Sequence, residues 1–137
     1  MVLTPQNKIQ NILEDASVTE LAVGGASGSV YSQNFVLPKN HSFGFEFVLE
    51  GATAANIEVY LEQGNEQLTD AEQGSANDNY VVPDDQDPLG TLDAFDTAIM
   101  VGSPAVSLFG RLKFVLGTGN NVANKLTRIR MVTTENG

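Results

Sequence analysis

Residues 41–50, HSFGFEFVLE, show the clearest periodicity in this chain of 137 residues. Apolar side chains occupy every second position from Phe43 to Leu49, and the other set of alternating positions is Gly44, Glu46, Val48 and Glu50. Successive side chains of a β-strand point to opposite faces, so this alternation predicts a strand with one buried face and one polar face. Burial of each phenylalanine ring on that face contributes on the order of 2 kcal/mol. We therefore expect a central core strand here.

Other parts of the chain also have the appearance of strands, most of them with the same alternation. These segments are 17–23, 29–38, 56–65, 80–83, about 97–101, 107–117 and 126–134. Turn signals rich in Gly and Asn separate several of them, for example GGASG at 24–28 and TGNN at 118–121. About seven or eight short strands spaced by turns predict an all-β chain, an antiparallel β-sandwich of the jelly-roll-like kind.

The first residues show a different period. Thr4 and Pro5 suit the N-cap and first turn of a helix. The apolar side chains that follow at helical spacing are Ile9, Ile12 and Leu13. This predicts a short helix over about 5–15, too small to be stable unless it docks on its own domain or a neighbour. We therefore expect an N-terminal arm at 1–16 whose apolar side chains contact a partner, and one sandwich domain at 17–137.

The composition argues against several function classes. The formal net charge is −10, and no basic residue occurs between Lys39 and Arg111. Such a surface repels nucleic acid, whose binding requires clustered cations. No apolar run approaches the ~18 residues of a membrane span, and the start does not read as a signal peptide. The chain has no Cys, which excludes disulfides and thiolate chemistry.

Cations are concentrated near the C-terminal end. The tripeptides RLK (111–113) and RIR (128–130) each have basic residues two positions apart, which places both on the same face of a strand. These residues are Arg111, Lys113, Arg128 and Arg130. If the two strands pair, these side chains form a four-cation patch on an acidic protein. One interpretation is charge balance with Glu58 or Glu62 on neighbouring strands. The other is a docking face for an acidic neighbour or a second copy of the chain. The sequence leaves both open.

The acidic stretch DNYVVPDDQDPLGTLDAFD, residues 78–96, resembles a calcium loop only in part. In the EF-hand pattern Leu89 falls where an oxygen ligand is needed, and Asp96 replaces the bidentate Glu. We expect a solvated loop, although an irregular calcium site around Asp84–Asp87 stays open. The single His41 lies in a predicted turn, and no nucleophile motif accompanies it. We expect no catalytic residue, no metal site and no cofactor, and hence no enzyme.

Four runs of sequence carry a family resemblance: YSQNFVLPKNHSFGFEFVLEG, NIEVYLEQGN, YVVPDD and SPAVSLFGRLKFVLGTGNNVANKLTRIRMVTT. Together, over roughly residues 28–133, they resemble small β-sandwich virion proteins of tailed bacteriophages. The resemblance lies in the pattern of residue types and in the order of the strands. Arg111 lies further from the preceding Pro104 than the family pattern leads us to expect.

The resemblance implies a structural protein of the virion, a capsid decoration (cement) or auxiliary head protein made in the host cytoplasm. Its partners would be the major capsid protein or other virion proteins, and copies of itself, without nucleic acid or membrane. The alternative is a carbohydrate- or calcium-dependent binding module on a phage tail or cell surface.

Overall fold

A computed structural model describes residues 7–13, 20–39, 41–51, 54–69, 71–83, 86–93 and 96–135. Within these ranges the chain forms strands and no helix. The strands are β1 (Asn7–Asn11), β2 (Leu21–Ala22), β3 (Ser29–Tyr31), β4 (Phe35–Val36), β5 (His41–Glu50), β6 (Ile57–Gly64), β7 (Gly90–Leu92), β8 (Asp96–Val101), β9 (Phe109–Leu116) and β10 (Lys125–Glu135).

The strands form two five-stranded sheets, and every pairing is antiparallel. Sheet A has the order β1-β10-β5-β8, with β2 also paired to β10. Sheet B has the order β3-β9-β6-β7, with β4 also paired to β9. The two sheets pack face to face around one apolar core. The predicted all-β antiparallel sandwich is confirmed.

Aromatic rings join the two sheets through the core. Phe47 of sheet A meets Phe114 of sheet B edge to face, with ring centroids 6.0 Å apart. Phe45 meets Phe35 of sheet B at 5.6 Å. Phe45 and Phe47 are no more than 1% exposed, and Phe43 is also buried. The alternation in HSFGFEFVLE therefore predicted the buried face of β5 correctly.

A β-bulge in β10 explains how apolar residues at an odd spacing can lie on the same face of this strand. The pairing of β10 with β5 shifts register between Leu126 and Arg128. Leu126, Ile129 and Met131 are all buried, although the first two are three positions apart and would point to opposite faces of a regular strand. One extra residue, Thr127, restores the parity. Beyond the bulge, Arg128 and Arg130 lie on the outer face of sheet A.

The predicted N-terminal helix is wrong over the part of it that the structure describes. Residues 7–11 form β1 and pair with β10 in an unbroken register from Asn7 with Thr134 to Asn11 with Arg130. As a strand beside β10, these residues gain backbone hydrogen bonds to a neighbouring strand. A helix with only three apolar side chains is too weakly stabilised to compete with that pairing. The predicted boundary between arm and sandwich lies outside the described residues.

The strand count also exceeds the expected seven or eight. The segment 29–38 divides into β3 and β4, and β1 and β7 were not predicted. Residues 80–83, predicted as a brief strand, contribute only an isolated bridge between Val81 and Gln63. The strand preferred from Thr97 onward is confirmed as β8.

Candidate docking surfaces

Arg111 lies on the outer face of sheet B and is nevertheless fully buried. Directly across the sheet, Glu62 of β6 accepts a hydrogen bond from Arg111 Nε at 2.8 Å. Arg111 Nη1 donates to the carbonyls of Gln73 (3.0 Å) and Ser75 (2.8 Å). These two carbonyls belong to the long connection from residue 65 to residue 80, so the guanidinium binds a strand and a loop together.

Two tyrosine rings enclose the same guanidinium. Arg111 Cζ lies 4.0 Å from the ring centroid of Tyr31 and 5.4 Å from that of Tyr80. The Tyr80 hydroxyl donates to the carbonyl of Glu66 at 2.7 Å, which fixes the two ends of the loop to each other. Gly64 makes the approach feasible, since a Cβ there would lie 2.6 Å from the Tyr80 ring. The loop thus covers part of sheet B's outer face.

Burial raises the pKa of the Tyr80 phenol, and the hydrogen bond from Asn34 and the positive charge of Arg111 oppose that shift. A tyrosine phenol is already neutral near pH 7 at its ordinary pKa of about 10, so Tyr80 serves as a hydrogen-bond donor and ring partner. Arg111 Nη2 is buried without a hydrogen-bond partner in the described structure. Arg111 therefore holds the fold together and is inaccessible to a docking partner.

The predicted four-cation patch does not form, because β9 and β10 belong to different sheets. Arg111 takes the alternative role of cross-strand balance with Glu62. Lys113 is half-buried on the outer face of sheet B, opposite Tyr31 on one side and Tyr60 on the other. Arg128 and Arg130 remain together, on sheet A.

Arg128 and Arg130 share one carboxylate. Glu46 Oε1 lies 3.7 Å from Arg128 Nη1 and 3.8 Å from Arg130 Nη1, close enough for charge attraction but beyond hydrogen-bond distance. The three side chains are partly exposed. Two cations and one anion leave this patch locally positive in a chain whose formal net charge is −10. A locally positive patch favours an acidic partner surface.

An apolar row crosses the outer face of sheet A beside these charges. The pairings place Ile9, Val132, Gly44 and Val101 opposite one another in sequence across the four strands. Ile9 is 62% exposed and Val101 is 81% exposed. Ile99, 78% exposed, lies one row further along, opposite Glu46. A groove of about 370 Å³ runs along the part of this row formed by Val132, Gly44 and Val101, and along neighbouring residues of β5 and β8.

We call these outward residues the sheet A face. Its members are Ile9, Gly44, Glu46, Ile99, Val101, Arg128, Arg130 and Val132. A second groove, of about 330 Å³, opens on the other side of Ile9 between β1 and the segment Val36–Pro38, and Val36 is 64% exposed there. Apolar exposure therefore continues around the β1 edge, as expected for surfaces that bind protein.

The three residues predicted to form arm contacts, Ile9, Ile12 and Leu13, lie in different environments. Ile9 projects into solvent on the sheet A face. Ile12 and Leu13 are buried in the core, where the Ile12 N–H donates to the Ile129 carbonyl at 2.8 Å. They follow β1 at a bend that directs the chain inward. Of the three, the structure leaves Ile9 available to a partner.

A buried asparagine network joins three turns at one end of the sandwich. Asn120 Nδ2 donates to the carbonyls of Val23 and Gly25, each at 2.8 Å. Its Oδ1 accepts from the Asn56 N–H at 3.1 Å and from Asn124 Nδ2 at 2.7 Å. All four hydrogen-bonding positions of this amide are filled. The sequence pattern predicts only a turn here, and the three asparagines within residues 120–124 are the signal from which the buried network could have been predicted.

The structure describes part of the acidic loop, including residues 86–93. Asp84 and Asp85 lie outside the described residues, so the calcium prediction for Asp84–Asp87 is not decided. Tyr60 donates to Glu58 Oε2 at 3.1 Å. Burial, followed by that bond and the negative charges of Glu58 and Asp87, raises the pKa of Tyr60. Over the described ranges, no three His, Asp or Glu side chains form a cluster able to hold a metal ion.

Neither a comparison with models of protein families nor one with curated proteins finds a match for this chain. No helix long and apolar enough to cross a membrane is found in the described part of the chain. Candidate function therefore depends on the surfaces described above.

Proposed function

We propose that this protein is a structural component of a virion, a capsid decoration or auxiliary head protein that binds the capsid lattice and copies of itself. Under this proposal its partners are the major capsid protein or other virion proteins, and its location is the capsid after synthesis in the host cytoplasm. Binding requires neither nucleic acid, membrane nor cofactor, and the protein catalyses no reaction.

The observation that carries the proposal is the apolar row on the sheet A face. Ile9, Ile99 and Val101 leave large apolar side chains exposed on one face of a regular sheet, and contiguous apolar exposure of this kind marks protein interaction sites. The adjoining Arg128–Glu46–Arg130 patch gives the face a local positive charge for an acidic partner. Repetition over a symmetric lattice converts a weak contact of this size into stable attachment. The sandwich fold and the resemblance over residues 28–133 support the same role.

The direct test is the composition of particles. Virions of the phage that encodes the chain, purified on a density gradient, should contain it in a constant ratio to the major capsid protein, as measured by quantitative mass spectrometry. A constant ratio across preparations is expected because lattice sites are finite and equivalent. Absence from the particles, or a copy number that varies between preparations, would contradict the proposal.

A substitution on the sheet A face tests the surface itself. Ile9→Asp should reduce the occupancy of recombinant protein on particles lacking it by roughly tenfold or more, since burying an unpaired carboxylate costs at least about 1.4 kcal/mol. Val122→Asp is the matched control, because Val122 is 83% exposed in a turn outside the sheet A face. Occupancy is measured by cosedimentation. Equal loss for the two variants, or no loss for Ile9→Asp, would show that another surface docks.

The calcium-dependent alternative makes an opposite prediction that is easily measured. Glu58 and Asp87 lie near Tyr60, beside the acidic stretch, which is the observation that favours it. If the acidic loop is only a solvated surface, millimolar calcium after chelator treatment should leave the melting temperature unchanged within about 1 °C. A rise of several degrees that saturates with calcium would favour the binding module instead.

A further inference from the structure

Strand β8 forms an open edge of sheet A. It pairs with β5 on one side only, in an unbroken register from Val101 with Gly44 to Asp96 with Leu49. The Gly102 N–H donates to the Phe43 carbonyl at 2.9 Å, which makes that pair a hydrogen-bonded one. Because such pairs alternate in antiparallel sheets, Met100 and Ala98 also bond toward β5.

The intervening residues direct their backbone groups away from β5. Thr97, Ile99 and Val101 each present one N–H and one C=O to the free edge, and none of them has a backbone bond there in the described structure. The side chains of the same three residues are exposed on the outer side of sheet A. Each of these residues can therefore form backbone hydrogen bonds and side-chain contacts with a strand that pairs at this edge.

This edge lacks the usual protection against pairing. Natural edge strands carry Lys, Pro, a bulge or an inward-pointing charge to prevent association. Residues 97–101, TAIMV, contain no charge and no Pro, and their register with β5 shows no bulge. Ile99 and Val101 are among the most exposed apolar side chains of the described structure, at 78% and 81%. An edge in this state is suited to receive a strand.

We propose that β8 pairs antiparallel with β8 of a second copy of this chain, around a two-fold axis at Ile99. In this register Ile99 lies opposite Ile99 of the second copy, and Thr97 lies opposite its Val101. Thr97, Ile99 and Val101 are then hydrogen-bonded across the axis. The N–H of each residue donates to the C=O of the residue opposite it in the second copy, and its own C=O accepts in return. Sheet A becomes one continuous sheet through both copies.

The charges on this face are compatible with a second copy as occupant. Asp96 is the one charged residue of β8, and it lies opposite Gly102 of the second copy in this register. The two Asp96 residues are six positions apart along the paired strands, about 20 Å, which exceeds the ~8 Å screening length at physiological salt. On the outward face, Glu46 lies opposite Ile99 on β5, and it is already accompanied by Arg128 and Arg130. Residues 97–101, which meet across the axis, carry no charge, so a chain with a formal net charge of −10 can pair there without placing like charges directly opposite each other.

The inference specifies the self-association included in the proposed function, and it can fail independently of particle binding. Wild-type protein should sediment in a concentration-dependent way toward twice its 14.6 kDa mass. The chain has no Cys, so a single introduced thiol reports on register. Ile99→Cys should form a disulfide dimer on mild oxidation, because hydrogen-bonded pairs place Cα atoms about 5.5 Å apart, within the disulfide range.

Val101→Cys is the matched control. Val101 is as exposed as Ile99, but in this register the two copies of it are about 14 Å apart, too far to bridge. Ile99→Cys should therefore give at least about five times more disulfide dimer than Val101→Cys. Equal yields, or a higher yield for Val101→Cys, would overturn the register. Wild-type protein that stays monomeric up to about 1 mM would overturn the pairing, and would leave the edge to a strand of another protein.

A charge-exchange experiment provides a second readout that does not depend on oxidation. Ile99→Lys and Ile99→Glu should each be monomeric, since like charges meet at the axis. An equimolar mixture should recover the dimer, because opposite charges then meet. A mixture that stays monomeric, or single variants that still dimerise, would overturn the proposal. Circular dichroism confirms that each variant is folded. Dimerisation lost with particle binding retained would refute this inference alone, whereas a dimer absent from virions would refute the proposed function alone.

Discussion

Replacing Arg111 with methionine is expected to lower the free energy of unfolding by about 3–5 kcal/mol, because Glu62 then remains as a buried charge without its partner. The same change removes the donor to the Gln73 and Ser75 carbonyls and the cation beside Tyr31 and Tyr80. For a chain of this size the melting temperature should fall by roughly 10–15 °C. Thermal and urea unfolding followed by circular dichroism measure it.

Arg128→Met is the matched control for that experiment. The Arg128 side chain is 41% exposed and its distance to Glu46 is 3.7 Å, so its loss should cost less than about 1 kcal/mol. The double variant Glu62→Leu with Arg111→Met should be more stable than Arg111→Met alone, since no buried charge is left unpaired. If Arg111→Met unfolds at the same temperature as Arg128→Met, the guanidinium does not hold the loop to the sheet.

Asn120→Asp is expected to lower the free energy of unfolding by about 3–5 kcal/mol at pH 7. The new carboxylate keeps the shape of the amide but turns oxygens toward the Val23 and Gly25 carbonyls, which lose their donor. The side chain is almost fully buried, at 4% exposure, so the repulsion is weakly screened.

The pH dependence of that variant has a definite sign. Burial and the two carbonyls raise the pKa of the new carboxyl above its value in the unfolded chain. The destabilisation is therefore complete above the raised pKa and declines as the pH falls toward the unfolded pKa, where the protonated carboxyl can donate again. Urea titrations of the variant and wild type between pH 4 and pH 7 should show the gap closing on the acidic side.

Asn121→Asp serves as the control for Asn120→Asp. The Asn121 Oδ1 accepts from the Ala123 N–H at 2.9 Å in an exposed position, and a carboxylate retains this acceptor. Its effect should stay within about 0.5 kcal/mol at any pH in the range. A similar loss for both variants would mean that the turn, and not the buried amide of Asn120, limits stability.

The buried face of each long strand was predictable because a period of two assigns faces without any knowledge of neighbours. Phe47, Val59 and Phe114 are all buried as their alternation requires. β8 was recoverable for the same reason from Thr97 onward. Sheet membership was not predictable, since alternation in β9 and β10 is the same whether they pair or lie in opposite sheets.

The failures share a cause, which is contact between residues distant in sequence. Ile9, Ile12 and Leu13 satisfy a helical spacing, but β10 offers backbone partners more than a hundred residues away, and tertiary pairing overrides a weak local preference. Arg111 and Glu62 have outward parity, and their burial depends on a loop that returns over the sheet. No local pattern encodes that return. The value of Ile99 and Val101 as a docking edge likewise emerges only once β8 is known to be an edge.

The place of β10 in sheet A has a consequence for the order of folding. β10 is the last strand of the described chain, and β1, β2 and β5 all pair with it. β5 and β8 can pair earlier, but sheet A cannot be completed until residues 125–135 are available. The pairing of β1 with β10 closes a loop of nearly the whole described chain, which predicts folding in milliseconds to seconds and not microseconds. Until β10 is available, β5 lacks this neighbour, and its phenylalanine face is not completely covered. During synthesis that face stays partly exposed until residues 125–135 follow, and chaperones would limit its aggregation.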